Sequence, residues 1–172
     1  MPHNSPGFLR INSSDANVDL RLISIEEGED LRQRVLRPGQ PDWRFPFLPQ
    51  AEFFHMGAFH GQQLISVVSL LEEEVVGDST NGAAAWRLRG MATVPEMQNR
   101  GIGGLLLEHG VAEVINRYGS LVWCYGRTSA DQFYQSHGFQ PHGEIFDIEG
   151  AGLHALYIRP LGNGLQRKTR SA

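Results

Sequence analysis

Between Trp86 and Tyr118 the chain passes from a strand pattern through a glycine turn into a long apolar-faced helix, and that order constrains its fold most. Trp86 to Val94 reads as a strand ended by Pro95. Leu105, Leu106, Leu107, Val111, Val114, Ile115 and Tyr118 then recur at the helical period of about 3.6 residues. Gly119 is expected to cap that helix. Gln98-Asn99-Arg100-Gly101-Ile102-Gly103-Gly104 joins the two elements. The first turn of a helix carries backbone N–H groups without intrahelical acceptors, at the positive end of the helix dipole, so a loop that lets an anion approach makes a phosphate site. Gly101 and Gly103 remove side chains that would obstruct such an anion, and Arg100 adds a mobile positive charge beside it.

Three phosphate-binding patterns compete for this turn. A nucleotide P-loop requires Gly-Lys followed by Ser or Thr, where this chain has Gly103-Gly104-Leu105. A dinucleotide fingerprint requires a third glycine, and Leu106 stands there, after elements whose pattern is antiparallel. The third, Gln/Arg-x-x-Gly-x-Gly/Ala, is met by Gln98-Asn99-Arg100-Gly101-Ile102-Gly103.

The rest of the chain supplies the context. Residues 1–17, rich in Asn, Ser, Pro and Gly, read as a flexible arm, and 162–172 as a flexible tail, leaving 18–161 as a single domain. Val18 to Ile23 alternates like a strand; Ser24 and Glu27 have capping-box spacing before a helix that places Leu31, Val35 and Leu36 on one face and stops at Arg37-Pro38-Gly39. Pro38, Pro41, Pro46 and Pro49, interleaved with Trp43, Phe45 and Phe47, predict an irregular aromatic loop able to wall a pocket. Phe53–Phe59 and Leu64–Glu72 read as a hairpin, and 76–83 as a polar loop. Leu121–Cys124 is a short buried strand, Ser129–Ser136 a second helix, and Gly143–Ile158 a last strand pair around Gly150-Ala151-Gly152.

Composition narrows the function classes. With 15 Lys+Arg against 19 Asp+Glu, the net charge of −4 argues against a nucleic-acid footprint, which needs a basic face. The only cysteine, Cys124, excludes an intramolecular disulfide framework and a four-cysteine zinc site, and reads as buried filler. Seven histidines without tight ligand spacing give no reason to expect a metal. No apolar run is long enough to span a membrane, and Met1–Ile11 lacks the order of a signal peptide, so a cytoplasmic protein without membrane partners is expected.

The glycine turn, together with Ala130-Asp131-Gln132-Phe133-Tyr134-Gln135-Ser136-His137-Gly138-Phe139 downstream, resembles the GNAT family of N-acetyltransferases. The second segment is similar to that family's Ala-x-x-Phe-Tyr-x-x-x-Gly-Phe, and the coarse element order agrees over about residues 18–160. The resemblance implies an α/β fold with a mixed, mostly antiparallel central sheet flanked by helices and splayed between the cofactor-binding strand and the next. It implies acetyl transfer from acetyl-CoA, without a metal, to a primary amine of a small molecule or peptide. The backbone of Met91, Ala92 and Thr93 would pair with the pantetheine arm, one N–H polarising the thioester carbonyl. Gln98 and the stretch Asn99, Arg100, Gly101, Ile102, Gly103 and Gly104 would hold the pyrophosphate, and Tyr134 would protonate the departing thiolate. Such domains often pair, so a homodimer is a further expectation.

One departure stands out. Many members carry an Asn between the short strand and the following helix, where this chain has Tyr125-Gly126-Arg127. The general base has two candidates: His154 in the last strand pair, whose residue type has a reference pKa of about 6.5, and the run Glu72-Glu73-Glu74, which an exposed hairpin end explains equally. The rival functional class is a non-catalytic acyl-CoA-binding or sensing domain. Arg32-Gln33-Arg34-Val35-Leu36-Arg37-Pro38-Gly39-Gln40 resembles the early region of small bacterial family members of uncertain substrate, and the acceptor is not written in the sequence.

Overall fold

Among the described residues eight strands hydrogen-bond side by side in the order β1-β2-β3-β4-β5-β6-β8-β7. The computed structural model describes residues 9–13, 16–47, 52–77 and 84–162. In chain order the strands are β1 Leu9–Ser13, β2 Ala16–Ile23, β3 Phe53–His60, β4 Gln63–Glu72, β5 Ala85–Thr93, β6 Leu121–Arg127, β7 Gln140–Ile148 and β8 Gly152–Pro160. The helices are α1 Glu29–Leu36, α2 Ile102–Asn116 and α3 Asp131–Ser136.

The residues pack as two compact units, and β4, β5 and α2 run through both. The first holds residues 1–49, 53–69 and 90–107. Its apolar centre comes from Val18, Leu20, Phe54, Val67, Ile102 and Leu106, alternating positions on strands and spaced positions on helices. Here β2 pairs antiparallel with β3, Leu20 opposite Ala58, and β1 pairs antiparallel with β2, Leu9 opposite Leu20. The first strand corrects the reading of 1–17 as a loose arm: Leu9–Ser13 are laddered onto β2, because an edge strand needs only backbone partners and its sequence signal is weak. Residues 1–8, 14 and 15 lie outside the described residues, as do 163–172 of the expected tail.

Ser24 and Glu27 make the expected reciprocal bonds, the Ser24 N–H donating to Glu27 Oε2 at 2.8 Å and the Glu27 N–H to Ser24 Oγ at 3.3 Å, but they brace the turn ahead of α1, whose own N-cap is Gly28 with no side-chain bond. The chain then makes one 3-10 turn, Glu26–Gly28, before α1. The helix stops where Arg37-Pro38-Gly39 require it to, and the aromatic loop follows without regular structure, Phe45 buried in it. Pro49 lies outside the described residues, and so do 78–83 of the polar loop.

The second unit holds residues 50–52, 70–89 and 108–172. Its core is built on Trp86, Trp123, Val114, Phe139 and Tyr157. The parallel ladder between β5 and β6 covers three residue pairs, Ala85 with Leu121 to Arg87 with Trp123, so Leu88–Thr93 run on beyond it. β6 and β8 pair antiparallel over seven residues, and β7 closes the edge with an irregularity between His142 and Phe146, where Gly143 has φ +69°.

Gly119 is not the left-handed cap of α2. The residue at positive φ is Tyr118, at +62°, and the bonds Gly119 N–H to Val114 O at 2.8 Å and Tyr118 N–H to Ile115 O at 2.9 Å make a Schellman motif one residue earlier. Gly119 is required for a different reason: a Cβ there would run into Val114 and the indole of Trp86. The helix expected over 129–136 begins as a 3-10 turn, Thr128–Ala130, and is α-helical from Asp131.

Candidate active site

The turn before α2 has the geometry an anion needs. Pro95–Met97 form a 3-10 turn, Asn99 sits at φ +59° and Gly101 at φ +78°, and the first helical acceptor, Gly101 O, is taken by the Leu105 N–H at 2.9 Å. That leaves the N–H groups of Gly101, Ile102, Gly103 and Gly104 without helical acceptors at the positive end of a 15-residue helix. Gln98, Asn99, Arg100 and Gly101 are exposed. These features fit a pyrophosphate: unsatisfied donors, a left-handed glycine and an exposed guanidinium.

The two glycines are needed for different reasons. A Cβ on Gly101 would touch nothing, but its φ of +78° penalises any side chain. Gly103 has ordinary helical backbone, and a Cβ there would stand 3.2 Å from Met91 Cε and 3.4 Å from Thr93 Oγ1. So Gly103 lets α2 lie close to β5.

Met91, Ala92 and Thr93 are fixed from the β4 side. The Ser66 hydroxyl lies 2.7 Å from Thr93 Oγ1 and 3.2 Å from the Ala92 carbonyl, the Gln98 amide donates to the Thr93 carbonyl at 2.9 Å, and the Val94 N–H donates to Ile65 O at 2.9 Å. Strand polarity alternates with period two, so Ala92 directs its backbone groups toward β4 and Met91 directs its own away.

Sequence reasoning missed what lies beneath this strand. Gly90, inside β5, has φ +56°, a left-handed kink; a Cβ on it would strike Phe45 at 2.6 Å. Arg32 of α1 is fully buried: Nε donates to the Gly90 carbonyl at 3.0 Å, Nη2 to Ser69 Oγ at 2.6 Å, and the guanidinium lies 4.6 Å from the Phe45 ring centroid. Ser69 Oγ is also 2.7 Å from His55 Nδ1, and Phe47 lies edge-on to that imidazole. Burial, then the charge of Arg32, pushes His55 down to about 4, with Glu26 opposing. Burial lowers Arg32 to about 10, which leaves it charged at neutral pH. A lone Gly in a strand pattern is a bulge signal that pointed to Gly90; nothing in the sequence marks Arg32 as buried.

In the second unit Tyr134 is buried against Tyr157, ring centroids 4.7 Å apart and 26° between planes, with the Cys124 thiol beside its hydroxyl. Burial first, then Cys124 and Tyr157, holds its phenol well above the usual tyrosine value, so it keeps its proton. Gly126, from the Tyr125-Gly126-Arg127 departure, is what admits that ring: a Cβ there would collide with Tyr134. Burial pushes Cys124 up to about 12, which removes it as a nucleophile and matches its reading as filler.

His154 is buried on β8, opposite Arg127 of β6 and Phe146 of β7, with Nδ1 2.6 Å from the Gly152 carbonyl. A carbonyl only accepts, so Nδ1 carries the proton, and in the neutral ring Nε2 holds a free lone pair. Of the glutamates, Glu73 is paired with Arg87 at 2.8 Å and its carbonyl accepts from the Trp123 indole; Glu72 ends β4 and Glu74 is exposed. Among the described residues no group of three or more His, Cys, Asp or Glu is arranged to hold a metal ion, and no helix is long and apolar enough to cross a membrane.

A model of the acetyltransferase (GNAT) domain matches residues 57–141. The uncharacterised N-acetyltransferase YitI of Bacillus subtilis strain 168 is 32% identical over 146 residues, 84% of this chain and 97% of YitI. Among solved structures, ElaA of Escherichia coli superimposes with a TM-score of 0.62 at 16% identity, covering 76% of this chain and 85% of ElaA. A GNAT family acetyltransferase from Elizabethkingia anophelis, solved with acetyl-CoA bound, gives a TM-score of 0.59 at 17% identity, covering 84% of this chain and 99% of that one.

Proposed function

The chain belongs to the GNAT family of N-acetyltransferases, and from that premise we propose that it moves an acetyl group from acetyl-CoA to a primary amine by direct attack on the thioester. The observation that carries the donor is the turn before α2, where four unsatisfied N–H groups follow a left-handed glycine. Gly101–Gly104 and Arg100 hold the pyrophosphate, Gln98 and Asn99 shape the turn, and Met91–Thr93 pair with the pantetheine arm. His154 Nε2 takes one proton from the acceptor's ammonium, the amine nitrogen bonds to the acetyl carbon, the carbon–sulfur bond breaks as Tyr134 gives its proton to the departing thiolate, and the second proton shed by the acylated nitrogen restores the phenol. The phenol is a weak acid that holds its proton until charge develops on the departing sulfur, and an imidazole whose Nδ1 is committed to the Gly152 carbonyl offers Nε2 as the acceptor.

The acceptor is a small-molecule or peptide amine, and the buried unpaired thiol of Cys124 is in keeping with a reducing cytoplasm. The test is thermal melting with acetyl-CoA, NAD and ATP, followed by free-thiol release across a panel of amines. At 100 times its dissociation constant acetyl-CoA stabilises the fold by about 2.7 kcal/mol, and NAD and ATP do so much less. An equal response to all three rejects the site; tight binding without turnover on any amine favours the sensing domain.

A further inference from the structure

We propose that Arg32 is a positioning residue for the acyl-transfer step: its grip on the Gly90 carbonyl aims the Met91 N–H at the thioester oxygen. The inference rests on the function proposed above and adds to it a residue on another element.

The geometry begins with one peptide plane. Gly90 C=O and Met91 N–H belong to the same planar trans peptide, so they point in opposite directions. Arg32 Nε fixes the carbonyl end at 3.0 Å. The N–H end is thereby directed away from Arg32, and the strand alternation counted from the Val94–Ile65 bond independently turns Met91 away from β4. A donor on that free edge is placed to meet charge developing on a carbonyl oxygen.

The kink would not hold itself. Gly90 at φ +56° leaves the extended region, and an unsupported strand would relax by rotating this peptide. Three contacts oppose that rotation: the Nε bond, the Nη2 bond to Ser69 Oγ at 2.6 Å, and Phe45 packed on both the guanidinium and Gly90. Ser69 accepts from Arg32, and its link to His55 Nδ1 ties the guanidinium to β3. The bond from a buried cation also polarises the amide, since electron density drawn to the carbonyl oxygen leaves the N–H a stronger donor.

The test compares wild type with Arg32→Met, which keeps length without donors, and Arg32→Lys, which keeps charge but replaces the planar fork that reaches Gly90 and Ser69 by a single ammonium. In the free protein the Met91 amide resonance and its hydrogen exchange should change in both variants. With acetyl-CoA labelled at the carbonyl carbon, the bound thioester infrared band should lie below its position in water for wild type and move back in the variants. Turnover should fall by about 10- to 100-fold with KM for acetyl-CoA within about twofold, Arg32→Lys recovering part of the loss. Should Arg32→Met not fold, Ser69→Ala gives a smaller shift of the same sign. An unmoved Met91 amide and thioester band in folded variants overturns the proposal even if the enzyme acetylates amines. Failure of wild type to bind acetyl-CoA overturns the functional reading on which it stands.

Discussion

The phenol of Tyr134 lies stacked on that of Tyr157 with 4.7 Å between centroids, and the Tyr157 hydroxyl donates to Asp131 Oδ1 at 3.0 Å. Asp131 opens the helix that carries Tyr134. One ring is thus committed to a carboxylate by its hydroxyl and to its neighbour by its face. The other is buried with its hydroxyl beside the Cys124 thiol, a weak partner, rather than on a carboxylate.

Tyr134→Phe therefore separates chemistry from packing. The ring and its stacking survive, and losing a hydroxyl bonded to a thiol should cost less than about 1 kcal/mol. Turnover should fall by about 10²-fold while calorimetric acetyl-CoA affinity stays within twofold. Unchanged turnover removes Tyr134 as the acid.

Gly103→Val should weaken acetyl-CoA binding at least tenfold while the protein still folds, because its branches would press on Met91 and Thr93 and drive α2 off β5. Gly101→Ala acts by another route, through backbone at φ +78°, and should cost about 1–2 kcal/mol of stability. Calorimetry and thermal melts on both variants distinguish the two causes.

Stability should fall as pH drops from about 6.5 toward 4, in part through His55. Its folded value of about 4 lies below the unfolded reference of about 6.5, so in that window the unfolded chain binds the extra proton. The contribution is complete above about 6.5 and is lost as pH falls through the folded value. His55→Gln should flatten that part of the stability profile measured by urea unfolding. A profile with wild-type slope in this window assigns the pH dependence to other groups.

Replacing Tyr118 by Gly should raise stability by up to about 1 kcal/mol, because a half-exposed Tyr holds the left-handed position at φ +62°. Gly119→Ala should lower it, by collision with Val114 and Trp86. If Gly119 were the left-handed cap instead, Tyr118→Gly would only destabilise.

How much of this was legible beforehand depended on the range of the interactions. The reciprocal bonds of Ser24 and Glu27, the stop at Arg37-Pro38-Gly39, the hairpin around Gly61 and the start of α2 at Ile102 are set by residues within a few positions of one another, so pattern and propensity decided them. The anion-ready turn was readable for the same reason: an N-terminal helical turn and its glycines are local.

Tertiary packing decided the rest. Tyr118 took the left-handed cap because Gly119 was already claimed by the face of Trp86, a residue far back in the chain. Gly103 is a glycine for the closeness of β5, and Gly126 for the ring of Tyr134. Arg32 is fully buried because the carbonyl of Gly90, the hydroxyl of Ser69 and the ring of Phe45 converge on it from three distant segments. A sequence states which groups a residue brings. Whether a guanidinium meets water or a kinked strand depends on desolvation and on partners that only the folded chain assembles, and that balance decides which side chains support the site.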